Sequence, residues 1–434
     1  MENRVALVYP YFREKDPVEK LFLPLGISYL ASQLKEIGVP VTIMDCTFEG
    51  FEEVLETLTL LRPAIIGISI MISNSRNAFA LAEALRARLP NTFILAGGPL
   101  PTLYPERFLP EFDLVFRGEG DLIMPAFCKD YLESEDKAQF LLQIEPANYP
   151  GIFFKKDQVL CSSPKVHHSE EILRSLPLPY RGGSQNSLYQ YFWRKEAQCR
   201  PTTIMITRGC PYSCEFCSKP VWGSDFRKPL LDKVFEEINE ISELGYDQLW
   251  IADDSFTLDM DFLTAFCIEK IERNIPISWT CLSRTKGLSL ETAKLMKQAG
   301  CVKVYLGLES GSDDVLALMK KNTTVQNSVD AVNLFRLAGI RTAGFFIVGY
   351  PGETWETVQK TFDLALSLSL DEIFFNVPIP LPGSALFSRV VGIDRQGDWE
   401  KASDVKFLFD SDFDEDALRR AIDSTMLEFK GRRA

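Results

Sequence analysis

Apolar and polar positions alternate between two periods along the first 135 residues. Short apolar runs at Val5–Tyr9, Val41–Asp45, Ala64–Ser69, Thr92–Ala96 and Leu114–Phe116 read as buried parallel strands. Between them, apolar positions return every three to four residues, which predicts helices over Leu25–Ile37, Phe51–Leu60, Asn77–Leu89 and Asp121–Leu132. Gly38, Arg62-Pro63 and Gly97-Gly98-Pro99 punctuate these units as turns. Repeated strand–helix units with such short connections predict an α/β fold with a doubly wound, Rossmann-like parallel sheet. Ligands of such sheets lie beyond the carboxyl ends of the strands, here the loops Ser69–Asn74, Gly97–Leu100 and Arg117–Gly120.

The pattern breaks over residues 136–198, where Pro146, Pro150, Pro164, Pro177 and Pro179 interrupt it. Ile152–Phe154 and Val159–Cys161 can form a small hairpin, and the aromatic content predicts a packed connector. Alternation resumes over 199–386. Six strands are predicted there: Thr202–Thr207, Gln248–Ala252, Ile277–Leu282, Val302–Leu308, Thr342–Val348 and Glu372–Val377. Helices are predicted at Leu231–Leu244, Asp261–Arg273, Leu290–Ala299, Val325–Ala338 and Thr354–Leu368. Periodicity alone leaves two outcomes open, a partial barrel or a second open sheet. Residues 387–434 form a tail with an acidic run (Asp410, Asp412, Asp414, Glu415, Asp416), read as solvated surface, and a last helix.

The net charge of −13 counts against nucleic-acid binding, which draws most of its affinity from phosphate contacts. Neither a secretory pattern nor a membrane span is expected. The most apolar stretch, Ala64–Ser73, is about half of the ~20 residues a span requires. Ten cysteines without a signal peptide suit a reducing, cytoplasmic setting. Histidine occurs only at His167 and His168, read as a surface pair in the connector, so a His-rich metal site or a Ser-His-Asp hydrolase is not expected.

Three of the cysteines fall within eight residues, in Cys210-Pro211-Tyr212-Ser213-Cys214-Glu215-Phe216-Cys217, just after the first strand of the third section. Soft thiolates at this density select zinc or an iron–sulfur cluster. A structural zinc site wants four ligands, and no fourth is at hand. Three ligands on one loop would leave one iron of a [4Fe–4S] cluster open, as a catalytic metal requires.

Cys210-x3-Cys214-x2-Cys217, with Phe216 before the last cysteine, resembles the signature of the radical S-adenosylmethionine (SAM) superfamily. Further matching blocks are Ile251–Phe256, Trp279–Cys281, Gly307–Ser312 and Phe346–Thr354. The resemblance implies a partial (β/α)6 barrel, with the three cysteines holding the cluster over its carboxyl-end face. It implies that SAM binds near Phe216, Glu309 and Ser310, with Arg284 a candidate for its carboxylate. Tyr305 could reach the barrel interior and act there, although packing is the default for a strand tyrosine.

The first half resembles the cobalamin-binding domain of the B12-dependent radical SAM group. Leu23–Ala31, Ala96-Gly97-Gly98-Pro99 and Phe116–Gly120 carry that resemblance. It implies corrinoid contacts from Ser69, Gly97, Gly98, Leu100, Gly118 and Glu119. No histidine precedes residue 167, so no axial histidine is expected from this half, and Leu100 with Ile70-Met71-Ile72 would make the lower face apolar. Asp253-Asp254 could be a catalytic acid/base pair, with capping and ordering of the barrel rim as its plainer reading, and Glu309 could equally be a salt-bridged core-edge carboxylate.

Together these resemblances imply C-methylation of an unactivated sp3 carbon. A 5′-deoxyadenosyl radical would remove hydrogen, and methylcobalamin would deliver the methyl group. Alternatives are a B12-dependent cyclase or rearrangement enzyme, a methylthiotransferase-like relative, and a non-catalytic corrinoid or iron–sulfur protein. The substrate would be a small molecule or a peptide; compact family members act on protein residues, including glutamine of methyl-coenzyme M reductase. An electron donor such as ferredoxin or flavodoxin is implied, with no nucleic-acid or membrane partner.

Overall fold

A computed structural model of the chain describes residues 2–13, 16–183, 185–219, 221–393 and 405–432. Its contacts divide into two compact units. The first is residues 1–203 with 220–223 and 227–233, and the second is 204–219, 224–226 and 234–434.

The first unit is built on seven strands: β1 (Glu2–Tyr9), β2 (Val41–Asp45), β3 (Pro63–Ser69), β4 (Phe93–Gly97), β5 (Leu114–Phe116), β6 (Ile152–Lys156) and β7 (Val159–Ser162). Their order is β2-β1-β3-β4-β5-β6-β7. The first five are parallel, and the last two are antiparallel additions. The strand order reverses between β1 and β3, so right-handed crossovers place helices on both faces. Side-chain alternation shows this directly. Ala6, Val8, Ile66, Ile68, Ile94 and Ala96 pack with helices Phe51–Leu61 and Ser75–Arg88. Val5, Leu7, Ile65 and Leu95 pack with helices Leu25–Glu36 and Ile123–Glu133.

The predicted hairpin forms, but it is not a separate connector. Ile152, Phe153 and Phe154 are buried because they pair with β5 and widen the same sheet. Helix Asn186–Ala197 is also held in this unit: Tyr189 Oη donates to Asp45 at 2.8 Å, and Trp193 Nε1 donates to the Leu21 carbonyl at 2.7 Å.

The second unit resolves the choice that periodicity left open. Strands β8 (Pro201–Ile204, along which the chain passes from the first unit into the second), β9 (Gln248–Ile251), β10 (Ser278–Ser283), β11 (Cys301–Glu309), β12 (Arg341–Ile347) and β13 (Glu372–Asn376) lie side by side in sequence order. Crossovers of one hand with no reversal put every helix on one face, which makes a partial (β/α)6 barrel. On β11, Val304, Leu306 and Leu308 are fully buried toward the helices, while Lys303, Tyr305 and Gly307 alternate onto the inner face. The helices start where side chains cap them. Asp259, Ser289, Thr324 and Thr354 accept from the backbone N–H of Phe262, Thr292, Asn327 and Thr357. Each such cap is worth about 1 kcal/mol.

The tail folds onto this unit. Phe407, Phe409, Phe413, Leu418 and Ile422 pack with Val348, Val358, Phe362 and Val377. The acidic run is therefore not all solvated surface: Asp414 caps the final helix, Glu415–Gly431, and the Glu415 carboxylate accepts from Phe407 N at 2.8 Å. Among the described residues no helix is long and apolar enough to cross a membrane.

Candidate active site

The cysteine loop follows β8 on the rim of the barrel. Its approach is fixed by Asp253, which is fully buried and accepts from Ile206 N (2.7 Å), Thr207 N (2.8 Å) and Thr207 Oγ1 (2.6 Å). This pull ends β8 at Ile204, three residues short of the expected Thr207. Burial raises the Asp253 carboxyl to about 7 despite those donors. Asp253 thus orders the rim, which is the plainer of its two sequence readings.

Cys210 and Cys214 are half-buried, Cys217 is exposed, and none of the three is in a disulfide. Glu215 pins the loop between them. Its N–H donates to the Met319 carbonyl at 2.9 Å, and its carbonyl accepts from Leu386 N at 2.9 Å. Its buried carboxylate accepts from Tyr350 Oη at 2.8 Å and pairs with Arg389 at 2.9 Å. Phe216 leans on Val315, Met319, Tyr350 and Leu386. Glu215 carries no signal of its own in the sequence, because its partners lie 104 to 174 positions further on.

Arg284 and Glu309, at the carboxyl ends of β10 and β11, converge on this loop through Lys321. Arg284 donates to Cys214 Sγ at 3.6 Å and to the Lys321 carbonyl, and its guanidinium lies 3.6 Å from the Tyr212 ring centre. Glu309 is ion-paired to Lys321 Nζ, which stands 5.8 Å from the Phe216 ring centre. Glu309 also takes a left-handed backbone (φ 63°) where the β11–β12 register slips. Such conformations concentrate at functional sites. Gly307 makes room for the pair, since a Cβ there would come within 2.7 Å of both charged groups. Lys321 was not singled out in the sequence; it follows no motif. Burial pushes the Cys210 thiol up, with Arg284 opposing. Metal binding must then drive its deprotonation.

Ser310 is placed differently from expectation. It is fully buried, its hydroxyl lies 3.2 Å from Thr361 Oγ1 and accepts from Ser312 N, so its side chain shapes the rim from behind. Tyr305 lies on the inner barrel face, between Trp250 and Phe345 (ring centres 4.8 and 5.8 Å away).

In the first unit, Ser69, Gly97 and Gly118 lie at or just past the carboxyl ends of β3, β4 and β5. A Cβ on Gly97 would meet nothing within 4 Å, so this edge leaves room for close approach by a flat group. Gly98 and Gly118 answer to the fold instead. Their φ values are +104° and +83°, and a Cβ would strike the Ile70 carbonyl at 2.8 Å and the Val166 carbonyl at 2.3 Å.

Two expected corrinoid neighbours turn inward. Leu100 is 2% exposed and, with Ile70, joins the core, leaving Met71 and Ile72 half-buried as the apolar edge. Glu119 is 1% exposed and ion-paired to Arg227 at 2.6 Å. His167 is exposed as expected, but His168 is not at the surface. His168 is buried, its N–H donates to Glu119 at 3.3 Å and its ring lies 3.7 Å from Asp121, while His167 stands 3.8 Å from Glu119. Both histidines therefore belong to the first unit, because the chain at Val166 bridges to Gly118.

Comparison with known proteins fits this division. Residues 16–128 match the B12 binding domain and residues 204–365 match the radical SAM superfamily. An uncharacterized methyltransferase of Pyrococcus horikoshii is 31% identical over 85% of this chain and 78% of its own length. An anaerobic magnesium-protoporphyrin IX monomethyl ester cyclase of Cereibacter sphaeroides is 26% identical over 89% of this chain and 63% of its own. The solved radical SAM methyltransferase TsrM of Kitasatospora setae, with cobalamin and a [4Fe–4S] cluster bound, superposes with a TM-score of 0.73 at 19% identity, covering 89% of this chain and 74% of that one. A radical SAM domain behind a B12-binding domain uses a [4Fe–4S] cluster, SAM and cobalamin. By these matches, the chain belongs to the cobalamin-dependent radical SAM methyltransferase family.

Proposed function

We propose that the protein methylates an unactivated sp3 carbon of a substrate held in the barrel. The observation that carries this reading is the rim of the second unit, where three thiols on one pinned loop meet Arg284 and the Glu309–Lys321 pair. The donor set suits the cluster: Cys210, Cys214 and Cys217 would hold three irons, and among the described residues no fourth thiolate or histidine joins that loop. When bound, the cluster with SAM supplies a hydrogen-abstracting radical, and the corrinoid supplies the methyl group.

The remaining work belongs to the chain. Arg284, beside Cys214, offsets negative charge on the thiolates and places a positive charge near which a carboxylate would be stabilised. Glu309, held by Lys321, is placed to accept from an ammonium group. Phe216 walls this corner against water, and Ser310 fixes the rim behind it. In the first unit Ser69, Gly97 and the backbone at Gly98 and Gly118 would edge the corrinoid, with Met71 and Ile72 supplying the apolar side and Glu119 holding the loop from within. Tyr305 positions the substrate from the barrel wall. A low-potential donor such as ferredoxin or flavodoxin, available in the cytoplasm, would supply electrons.

The test is a product count under anaerobic conditions with reductant and methyl-labelled SAM. Coupled turnover should give 5′-deoxyadenosine and S-adenosylhomocysteine in about equal amounts, with label on the substrate carbon. The 26% identical cyclase supports a second reading, ring formation, which gives the first product alone. A corrinoid or electron carrier gives neither. Methylation of a protein glutamine, as in methyl-coenzyme M reductase, is the finer alternative; a glutamine peptide gaining CH2 would establish it.

A further inference from the structure

The inner face of the barrel carries a row of aromatic rings, of which only Tyr305 has a role in the proposed function. Strand alternation puts them there. Leu249 and Ile251 of β9 are fully buried toward the helices, which leaves Trp250 on the inner face. On β12 and β13, Phe346 and Phe375 stack at 5.3 Å and Phe375 meets Phe362 of the outer helix Trp355–Ser367, so Phe345 and Phe374 point inward. The inward rings touch in series: Trp250 to Tyr305 at 4.8 Å, Tyr305 to Phe345 at 5.8 Å, and Phe345 to Phe374 at 5.3 Å. All four keep solvent exposure, and Phe374 is 39% exposed.

Below this row, toward the amino ends of the strands, the inner face turns polar. Lys303 pairs with Glu372 at 2.9 Å and lies 4.6 Å from the Tyr305 ring centre. The Lys303 charge is thus spent within the wall and is not offered to an anion. At mid-height the Thr280 hydroxyl is already directed to the Leu249 carbonyl. A primary amide laid against the ring faces would have donors and acceptors that those faces do not match, which is costly away from water. An aromatic or polyunsaturated ring would instead gain offset and edge contacts along a surface four rings long.

We infer that the row Trp250, Tyr305, Phe345 and Phe374 is a substrate-binding surface for a small molecule with a flat, apolar ring system. The inference rests on the reading that the barrel holds the substrate, and it narrows that substrate's class. Tyr305 acts in it as a positioning residue through its ring.

Calorimetric binding to the reconstituted holoenzyme tests this without turnover. The probes are 2-naphthol, protoporphyrin IX, and N-acetylglutamine amide, each with SAM present. At least one ring probe should bind at one site per chain. Phe374→Ala and Trp250→Leu should each weaken it about fivefold or more, while Tyr305→Phe, which keeps the ring, should change it less than twofold. Phe374→Leu serves as a milder replacement, and near-ultraviolet circular dichroism checks that the variants fold. The inference is overturned when no ring probe binds, when ring binding is indifferent to these substitutions, or when only the glutamine amide binds. Binding of the ring probes only when SAM is omitted also overturns it, since the row would then belong to SAM. 5′-Deoxyadenosine formation by the same preparation reports separately on the radical SAM reading.

Discussion

The two sheets of this protein leave opposite kinds of surface open to a ligand, and the cause is strand order. In the first unit the order reverses between β1 and β3, so helices cover both faces and strand side chains such as Val5, Leu7, Ala6 and Ile66 are almost wholly buried. Only the carboxyl edge stays open, and what it presents is mostly backbone, at Ser69 and Gly97. In the second unit the order never reverses, helices cover one face, and the other remains available as a wall of side chains. A backbone edge is spoiled by adding atoms. A side-chain wall is spoiled by removing them.

That contrast can be broken most severely in the second unit. Replacing Cys210, Cys214 and Cys217 together by Ala should abolish iron–sulfur absorbance and all SAM cleavage while the fold persists. Iron retained in the triple variant would point to ligands among the other seven cysteines.

The first unit should show the reverse sensitivity. Gly97→Val adds a side chain into open space and should cut cobalamin retention about tenfold or more, read by absorbance after gel filtration, with little change in melting temperature. Gly98→Ala should instead destabilise the unit by roughly 1–3 kcal/mol, because its φ of +104° and the Ile70 carbonyl at 2.8 Å leave no place for a Cβ. Equal behaviour of the two variants would contradict the distinction between ligand edge and fold.

A smaller effect should come from loosening the loop without touching its thiols. Tyr350→Phe removes the hydroxyl that donates to Glu215, a charge-assisted bond worth about 1.5–3 kcal/mol. It should lower cluster occupancy after reconstitution and speed cluster loss to a chelator, with the coordination spectrum unchanged.

The last expected effect is on pH dependence, and it is spread over several pH units. The Asp253 carboxyl is raised to about 7 by burial, so its folded form holds a proton that the unfolded chain releases near 3.8. Its contribution is full below that lower value and is lost as pH rises through about 7. Between those limits it should lower stability by up to about 1.4 kcal/mol per pH unit. Denaturant melts of wild type and Asp253→Asn from pH 5 to 7.5 should differ in slope by this amount or less, and identical slopes would show that Asp253 is ionised throughout.

Strands and helices were legible because burial on both faces writes continuous apolar runs, and caps such as Asp259 and Ser289 mark where helices begin. The cysteine spacing was legible because one loop carries all three thiols. What escaped the sequence depends on pairs far apart in the chain. The pairing of Ile152–Lys156 with β5 absorbed the supposed connector, and the Gly118–Val166 bridge drew His168 inward. Glu215 and Lys321 gain meaning only from partners that local pattern cannot supply. Leu100 and Glu119 were misplaced for a related reason: lying past a strand end does not say which way a side chain turns.

The Glu215 anchor bears on how the protein is made. Its loop leaves the ribosome early, yet Tyr350, Leu386 and Arg389, which fix its shape, are translated 135 to 174 residues later. At roughly 5–20 residues per second, the cysteines wait on the order of ten seconds or more before those partners exist. Metal delivered during that interval meets a loose trithiol peptide, open to zinc or to oxidation. Cluster insertion is therefore expected to follow formation of that anchor, and slow, iron-replete, oxygen-poor expression should give a larger fraction of loaded protein than rapid synthesis followed by repair.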